Sequence, residues 1–419
     1  ENGAQPMTQK ENGLEYTIVY NGELYNTEEL RKELTAAGIE FFGHSDTEVV
    51  LKSYIHWGEK CLDRFNGIFA FAVWEEATQR LFFARDRMGV KPFFYALKND
   101  TFIFGSEIKT LLEYPDIEPV IDRKGIIDLL FIGPGRTPGC GVFRDIHELE
   151  PGHCGTFDRN GLRTFSYWKL KDRLHTETFE ETSDHVRYLV TDAIRRQLVS
   201  DVPLGTFLSG GLDSSIISAV AASHFRSLGH QLDTFSVTYT DNQKYFKTSK
   251  FQPTTDEPYI QMMAEFLGSN HHTFVVDNEQ LALALKAAVD ARDLPGMADV
   301  DSSLLLFCEE IKKHVTVALS GECADEIFGG YPWYRDEKIR SAYGFPWAQT
   351  TAMRQKFLTP HLRKLIDGEA EVSARYEQAL AETDKSEGLS PKESRLREMV
   401  HLNMYWFMQT LLTYKVLLG

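Results

Sequence analysis

The clearest chemical signature in this sequence is a loop rich in glycine and serine, Leu208-Ser-Gly-Gly-Leu-Asp-Ser-Ser215. It follows a predicted strand and opens a predicted helix, so its backbone N–H groups and hydroxyls would surround a helix N-terminus, where anions bind. Gly210 and Gly211 allow close approach to phosphate oxygens, and Asp213 offers a carboxylate for a magnesium ion bridging them. Because the chain has no G-x-x-x-x-G-K-[ST] motif, the loop predicts a phosphate site other than a P-loop. The structural alternative is a strand-to-helix turn with a serine cap.

A second loop of related composition, Ser320-Gly-Glu-Cys-Ala-Asp-Glu326, follows the apolar run 315–319 and precedes Ile327-Phe-Gly-Gly-Tyr331. Its carboxylates crowd the start of a predicted helix. Acidic residues in a first helical turn are ordinarily explained by the helix dipole, which is the structural alternative here. A phosphate loop in the same half of the chain favours a role in nucleotide chemistry instead.

Taken together, the two loops resemble those of the asparagine synthetases, whose synthetase domain carries S-G-G-L-D-S-S and later S-G-E-x-x-D-E followed by F-G-G-Y. The first loop is similar to that of the ATP pyrophosphatases, which transfer AMP to a substrate. The resemblance implies ATP and Mg²⁺ as cofactors, with Asp213 and Asp325 holding magnesium and Glu322 serving formation of an aspartyl adenylate. The residues it implies as ATP contacts are Leu208, Ser209, Gly210, Gly211, Asp213, Ser214, Ser215, Val237, Ser320 and Gly321.

The N-terminal half carries an independent motif, Asn21-Gly-Glu-Leu-Tyr-Asn26. On its own, Asn-Gly after an apolar run predicts a hairpin or loop turn. In the same family, however, N-G-E-[IL]-Y-N marks a glutaminase site, and Asn21 and Gly22 would donate hydrogen bonds to the oxyanion of a tetrahedral intermediate. The resemblance further implies that Asn21, Gly22, Glu23 and Asp46 bind glutamine.

Other segments extend the resemblance along the chain. His44-Ser-Asp-Thr-Glu-Val49 is similar to the family's G-S-D-x-E-V element, and its Ser45 and Glu48 also have capping-box spacing, so both interpretations can hold. Further matches are Asn66-Gly-Ile-Phe-Ala-Phe-Ala72, Arg85-Asp-Arg-Met-Gly-Val-Lys-Pro92 and Phe104-Gly-Ser-Glu-Ile-Lys109. We interpret the basic segment 85–91 as structural rather than catalytic. The glycine-rich stretch 133–141 has the wrong spacing for a dinucleotide site and is interpreted as a surface turn.

Two features depart from the family. Members that hydrolyse glutamine begin with a cysteine nucleophile, whereas residue 1 is Glu1 and Gly3-Ala-Gln-Pro6, normally internal to the first domain, stands at the start. The pyrophosphate-binding lysine and the R-V-P-F segment that the resemblance places downstream of Leu411 are not found before Gly419. The resemblance therefore implies a chain incomplete at both ends.

Apolar patterning predicts two domains. Residues 1–168 contain short apolar runs at 14–20, 67–74, 81–84, 93–97 and 101–104, with helices at 27–37 and 47–57 that stop at glycine. This predicts a layered α+β glutaminase-like domain with antiparallel sheets.

A polar linker, 169–182, precedes a helix with apolar residues at three- and four-residue steps. Residues 183–419 then alternate strands (205–208, 232–237, 272–276, 315–319) with helices, which predicts an α/β domain with a parallel sheet, implied to be of the adenine-nucleotide α-hydrolase type.

The charge and composition of the chain limit the classes of partner it is expected to bind. A net charge of -16 and a pI near 5.3 disfavour nucleic-acid binding, and the longest apolar run is too short to span a bilayer, so no membrane role is expected. The start shows no secretion signal, and five scattered cysteines without a C-x-x-C pair argue against a disulfide framework or zinc site. We expect a cytoplasmic protein, possible as a homodimer.

The function predicted by the resemblance is synthesis of asparagine from aspartate and glutamine-derived ammonia through an aspartyl adenylate. One alternative is another adenylating amide-forming relative, such as a β-lactam-type synthetase, which would not need glutamine. A second alternative is a non-catalytic fragment or pseudoenzyme that binds nucleotide or a partner.

Overall fold

The computed structural model describes residues 3–248 and 254–418. Its strands, numbered in chain order, are β1 (Met7–Glu11), β2 (Leu14–Leu24), β3 (Gly67–Glu75), β4 (Arg80–Arg85), β5 (Phe94–Lys98), β6 (Thr101–Gly105), β7 (Ile146–Glu148), β8 (His153–Asp158), β9 (Gly161–Ser166), β10 (Leu204–Phe207), β11 (Asp233–Tyr239), β12 (Asn270–Val276) and β13 (Val317–Leu319). Its α-helices are α1 (Thr27–Ala36), α2 (Asp46–Trp57), α3 (Ile108–Leu112), α4 (Arg123–Ile127), α5 (Phe179–Arg196), α6 (Leu212–Ser227), α7 (Asn242–Tyr245), α8 (Glu257–Leu267), α9 (Asn278–Arg292), α10 (Asp299–Ile311), α11 (Ala324–Phe328), α12 (Pro332–Arg335), α13 (Glu337–Ser341), α14 (Thr351–Arg354), α15 (Pro360–Leu365), α16 (Gly368–Ala381), α17 (Pro391–Leu402) and α18 (Gln409–Leu418).

These elements form two compact units that do not follow chain order. The first unit comprises residues 3–171, 347–384 and 405–416, and the second comprises residues 172–248, 254–346, 385–404 and 417–418. The chain after residue 346 therefore contributes to both units.

The first unit is built on two antiparallel sheets. One sheet has the order β1-β2-β3-β4-β8-β9 and the other has the order β6-β5-β7. Strand β3 shows why the larger sheet is covered on both faces: Phe69, Phe71 and Val73 pack with helices α1 and α2, while Ala70 and Ala72 pack with residues of the smaller sheet. Each large apolar side chain buried in this way contributes about 1.5–3 kcal/mol. The predicted layered α+β architecture with antiparallel sheets is confirmed.

The second unit contains a parallel sheet of order β12-β11-β10-β13. Helices α5 and α6 contribute Ile194 and Ala221 to the core on one face, and α10 contributes Phe307 beside Phe235 on the other. This confirms the predicted α/β architecture with a parallel sheet covered on both faces. Loops at the carboxyl ends of such strands are the usual place for ligands.

Strand β2 corrects one alternative drawn from the sequence. The apolar run was expected to end at Tyr20, with Asn21 and Gly22 in a possible turn, but the strand continues to Leu24 and pairs with β3 throughout. The hairpin interpretation is wrong because Asn21 and Gly22 are strand residues: they pair with Ala70 and Phe69 of β3, and the pairing continues beyond them to Leu24.

Two further boundaries differ from expectation. Helix α5 begins at Phe179 rather than near residue 183, because Thr178 and Glu181 form a capping box ahead of the apolar positions. The turn at residues 133–141 is present, but it is not simply a surface loop, since Arg136 is buried and Gly135 packs against Trp347 and Trp406.

Candidate active sites

Gly22 occupies a position where only glycine fits. It pairs with Phe69 across β2 and β3, and a Cβ at Gly22 would lie 2.4 Å from the carbonyl oxygen of Ile68. Close contact between the two backbones therefore explains this glycine independently of any catalytic role.

Asn21 faces the side of β2 opposite to Tyr20, as strand alternation requires. Its side-chain nitrogen Nδ2 donates a hydrogen bond to Ser106 Oγ at 3.1 Å, which fixes the carboxamide. A cavity of about 270 Å³ lies beside this pair, and its lining comprises Gln5, Val19, Tyr20, Asn21, Ala70, Phe71, Ala72, Phe93, Phe104, Gly105 and Ser106. The cavity is mainly apolar with amide and hydroxyl groups at Gln5, Asn21 and Ser106. Ser106 belongs to the matched segment 104–109, but no role for it is predicted from the sequence.

Asp46 is attached to the same strand by hydrogen bonds. Its Oδ2 accepts from the Tyr20 hydroxyl at 2.8 Å and from the Leu24 backbone N–H at 3.3 Å. Tyr20 is buried, whereas Glu23 is exposed and lies on the other face with Asn21. Asp46 therefore contacts β2 on the buried face of that strand. The contact with Tyr20 is not predicted from the sequence.

The neighbouring segment forms the Ser45 half of the capping box that its spacing predicts. Ser45 caps helix α2 by accepting from the Glu48 N–H. The Glu48 carboxylate in turn accepts from the N–H groups of Phe42 and Gly43, which stabilises the loop leading into the helix.

The rest of the motif and the basic segment have structural partners. Asn26 donates to the carbonyl of Arg64 and accepts from the N–H of Asn66, which joins the end of β2 to the start of β3. Arg85 and Asp86 are both buried; Asp86 accepts from backbone N–H groups of residues 69, 88, 90 and 91. The structural interpretation of residues 85–91 is therefore supported.

In the second unit, the loop 208–215 connects β10 to α6. Gly210 has a φ of +77°, and a Cβ there would lie 2.8 Å from the Cβ of Tyr259, so glycine is required. Ser209 and Ser214 hydroxyls lie 3.0 Å apart, and Ser214 also donates to the carbonyl of Gly211. These hydrogen bonds within the loop stabilise its conformation at the start of α6.

The acidic loop follows β13, which pairs in parallel with β10. Ser320 accepts from the N–H of Glu322 at 3.2 Å. A Cβ at Gly321 would lie 3.0 Å from Asp213 Cβ and 3.1 Å from Ser214 N, so the two loops are in contact. Val237 lies half-buried in the adjacent strand β11, whose Phe235 carbonyl accepts from Leu208 N–H. The structure therefore brings the predicted ATP contacts together at the carboxyl ends of β10, β11 and β13.

The carboxylates of the two loops influence each other. Burial raises the pKa of Asp325, and the negative charges of Asp213 and Glu322 raise it further, while Arg335 opposes them. Mutual repulsion of this kind is relieved by a cation, and Mg²⁺ commonly binds through one or two carboxylates plus phosphate oxygens. Asp213 and Asp325 therefore fit the predicted magnesium role.

In residues 3–248 and 254–418, no three His, Cys, Asp or Glu side chains are grouped as a ready metal site. Over the same part of the chain, no helix is both long enough and apolar enough to cross a membrane. Glu1, the first residue of the sequence, lies outside the described residues.

Comparisons with known families cover both halves of the chain. The family model for asparagine synthase matches residues 185–417, and the model for the glutamine amidotransferase domain matches residues 1–168. Asparagine synthetase [glutamine-hydrolyzing] 3 of Bacillus subtilis is 52% identical over 416 residues, covering 99% of this chain and 67% of that protein. Asparagine synthetase [glutamine-hydrolyzing] 1 of the same organism is 37% identical, covering 80% of this chain and 50% of that protein.

More distant similarities also occur. Amidase chyE of Penicillium rubens is 31% identical, covering 80% of this chain and 50% of that protein. The chain thus spans between half and two thirds of these curated relatives. A solved structure of glutamine phosphoribosylpyrophosphate amidotransferase from B. subtilis aligns with 65% of this chain and 64% of that chain. The sequence identity is 14% and the TM-score is 0.30, which is too low to assign a role.

Proposed function

Since the chain belongs to the asparagine synthase family, we propose that it serves the ATP-dependent formation of asparagine from aspartate, with ammonia taken from glutamine. The observation that carries this proposal is the contact of Gly321 with Asp213 and Ser214, which joins the two predicted nucleotide loops. The chain is an enzyme of the ligase class on this basis, acting on small molecules. A cytoplasmic location and a homodimer remain predictions.

The proposed chemistry has two steps. The side-chain carboxylate of aspartate attacks the α-phosphorus of ATP, which forms aspartyl adenylate and releases pyrophosphate. Ammonia then attacks the acyl carbon, loses a proton and expels AMP. Backbone N–H groups and hydroxyls of the loop 208–215 would hold the phosphates, and Glu322 would assist adenylate formation. Magnesium held by Asp213 and Asp325 would neutralise negative charge on the phosphates.

The glutamine half of the proposal uses the first unit. Asn21 and Gly22 would donate hydrogen bonds to the developing oxyanion, and Glu23 and Asp46 would bind the α-amino group and backbone of glutamine. Support comes from the fixed Asn21 carboxamide beside a cavity and from the attachment of Asp46 to the motif strand.

Pyrophosphate release by the purified chain tests the proposed function. With Mg-ATP and ammonium, we expect release to require aspartate, and glutamate or a longer carboxylic acid to give less than about a tenth of the rate. Asp213→Ala should lower release at least about a hundredfold, because one charged ligand and its electrostatic stabilisation are lost. Asp290→Ala, which changes an exposed aspartate on α9, is the matched control.

Three outcomes would count against the proposal. Release independent of aspartate would contradict the assigned acceptor, and equal release by Asp213→Ala would contradict the assigned site. Release with none of the acids would contradict turnover by this chain. Comparing glutamine with ammonium as the nitrogen source in the same assay then isolates the contribution of the first unit.

A further inference from the structure

The acidic loop ends in a sharp reversal that depends on two glycines. Helix α11 stops at Gly329, which has a φ of +68°, and the N–H of Gly330 donates to the Asp325 carbonyl at 3.0 Å. A Cβ at Gly330 would lie 1.7 Å from Asp325 Oδ1. The Asp325 carboxylate therefore lies directly against the reversed backbone, and the path of that backbone determines where the carboxylate points.

A buried hydrogen bond closes the reversal. The Tyr331 hydroxyl donates to Glu326 Oε1 at 2.8 Å, and Glu326 is completely buried. Its other oxygen, Oε2, is also buried and has no hydrogen-bond partner among the described residues. Because a buried carboxyl group depends strongly on each partner it has, the Tyr331 contact matters more than a surface hydrogen bond would.

The other end of the contact is held by packing. The rings of Tyr331 and Trp333 stack with centroids 4.2 Å apart and an interplanar angle of 24°, and Trp333 is buried. Arg335 donates to the Gly330 carbonyl at 3.2 Å. Tyr331 is consequently fixed in position, so its hydroxyl can hold Glu326 and the helix that carries Asp325.

We propose that the Tyr331–Glu326 hydrogen bond is a positioning contact that keeps the Asp325 carboxylate opposite Asp213 for binding the magnesium complex of ATP. This inference deepens the proposed function and rests on it. Neither residue needs to touch the nucleotide. Without the contact, repulsion among Asp213, Glu322 and Asp325 would be free to open the loop.

Titration calorimetry with α,β-methylene-ATP tests this inference, because the analogue cannot release pyrophosphate. The wild-type chain should bind the Mg²⁺ complex more tightly than the metal-free nucleotide measured in EDTA. Tyr331→Phe should weaken binding of the Mg²⁺ complex about three- to tenfold, the loss expected for one buried hydrogen bond, and leave metal-free binding unchanged. A loss confined to the Mg²⁺ complex indicates that the position of a metal ligand has changed, whereas a loss for both nucleotide forms indicates that the whole binding site is disrupted.

Matched variants complete the design. Tyr334→Phe removes a nearby hydroxyl that donates to the Met399 carbonyl instead, and should leave both affinities unchanged. Glu326→Gln keeps an acceptor of the same shape and should remain within about twofold of wild type, whereas Glu326→Met should behave like Tyr331→Phe. If circular dichroism shows that Tyr331→Phe does not fold, the affinities of Glu326→Gln and Glu326→Met for the two nucleotide forms are compared instead.

The outcomes separate this inference from the proposed function. Equal weakening of both nucleotide forms by Tyr331→Phe, or of neither, would overturn the positioning role alone. A wild-type chain that binds neither form would overturn the proposed function, and this inference with it.

Discussion

Asp46 is favoured at its position by two effects at the scale of single residues. It is the first residue of α2, where the helix dipole stabilises a carboxylate, and its Oδ2 accepts hydrogen bonds from Tyr20 and Leu24. Both contacts use the same oxygen. The other oxygen, Oδ1, is therefore the one suited to a ligand's ammonium group, and Tyr20 would act by orienting it.

Tyr20→Phe tests this arrangement. We expect glutamine to bind the chain about three- to tenfold more weakly, since Asp46 loses its shorter hydrogen bond while the buried ring remains. Calorimetric titration with glutamine measures the effect, and ammonium-dependent pyrophosphate release should be unchanged. Tyr16→Phe, on the same strand, is the control. Unaltered glutamine affinity in Tyr20→Phe would show that Asp46 needs no such orientation.

Sequence reasoning identified side chains with a motif and missed those without one. Asn21, Gly22, Asp46, Asp213, Gly321 and Asp325 were all predicted as site residues, and the structure groups them by unit as expected. Tyr20 and Ser106 lie within quoted segments, yet their contacts depend on which strands and loops meet. The sequence does not distinguish Glu326 from the other acidic residues of its loop, because its complete burial follows from packing that no local pattern encodes.

At the scale of secondary-structure elements, a buried ionic network ties β4 to β7. Arg85 on β4 donates to Glu148 Oε1 at 2.9 Å, and Arg136 donates to Glu148 Oε2 at 2.6 Å, with all three side chains buried. Burial alone would raise the pKa of Glu148, but Arg136 and Arg85 lower it more, so the pKa lies below its usual value. The carboxylate is needed in its charged form to hold these elements together.

Glu148→Gln should destabilise the first unit by about 3–5 kcal/mol at pH 7, because two buried guanidinium groups lose their shared charge partner. A group with a lowered folded-state pKa stabilises the protein above its unfolded pKa, about 4.3, and loses that contribution as the pH falls through the folded value. The gap between wild type and variant should therefore shrink below about pH 4.3. Urea unfolding at several pH values measures it.

An exposed ion pair provides the control for this prediction. Glu15 lies 3.1 Å from Lys10 on the neighbouring strand, and Glu15→Gln should change stability by less than about 0.5 kcal/mol. A Glu148→Gln protein as stable as the Glu15 variant would mean that the network is replaceable.

The element boundaries show where local patterns suffice. Helix α1 was predicted within one residue and the strands β3 and β4 nearly so, because apolar alternation and glycine stops mark them directly. Strands β1, β7, β8 and β9 are not predicted from the sequence. Strand β7 has only three residues and β9 is mostly exposed, so neither carries a clear apolar alternation. Helix α5 was placed too late because its first turn is acidic and exposed.

At the scale of the whole chain, each compact unit contains its own predicted ligand site. We expect glutamine to protect backbone amides of β2 and the start of α2 from hydrogen exchange, and Mg-ATP to protect the loops 208–215 and 320–326. A ligand at a hundred times its Kd should stabilise its own unit by about 2.7 kcal/mol. Hydrogen exchange followed by mass spectrometry reports both effects on one sample.

The pattern of protection decides this prediction. Protection confined to one unit for each ligand would agree with two separate sites. Protection by either ligand spread evenly over both units would contradict it. The sequence predicted the existence of two ligand sites, but the return of residues 347–384 and 405–416 to the first unit could not be read from motifs, because it depends on long-range packing.

The stacked rings of Tyr331 and Trp333 also have an optical consequence. Indole emission shifts with the polarity around the ring, and Trp333 is buried at the end of the acidic loop. The segment after the acidic loop therefore carries an intrinsic fluorophore whose emission would report a change in the burial of Trp333. Replacing the other tryptophans with phenylalanine would isolate this signal, so binding of the nucleotide beside it could be timed by stopped-flow mixing without attaching a dye.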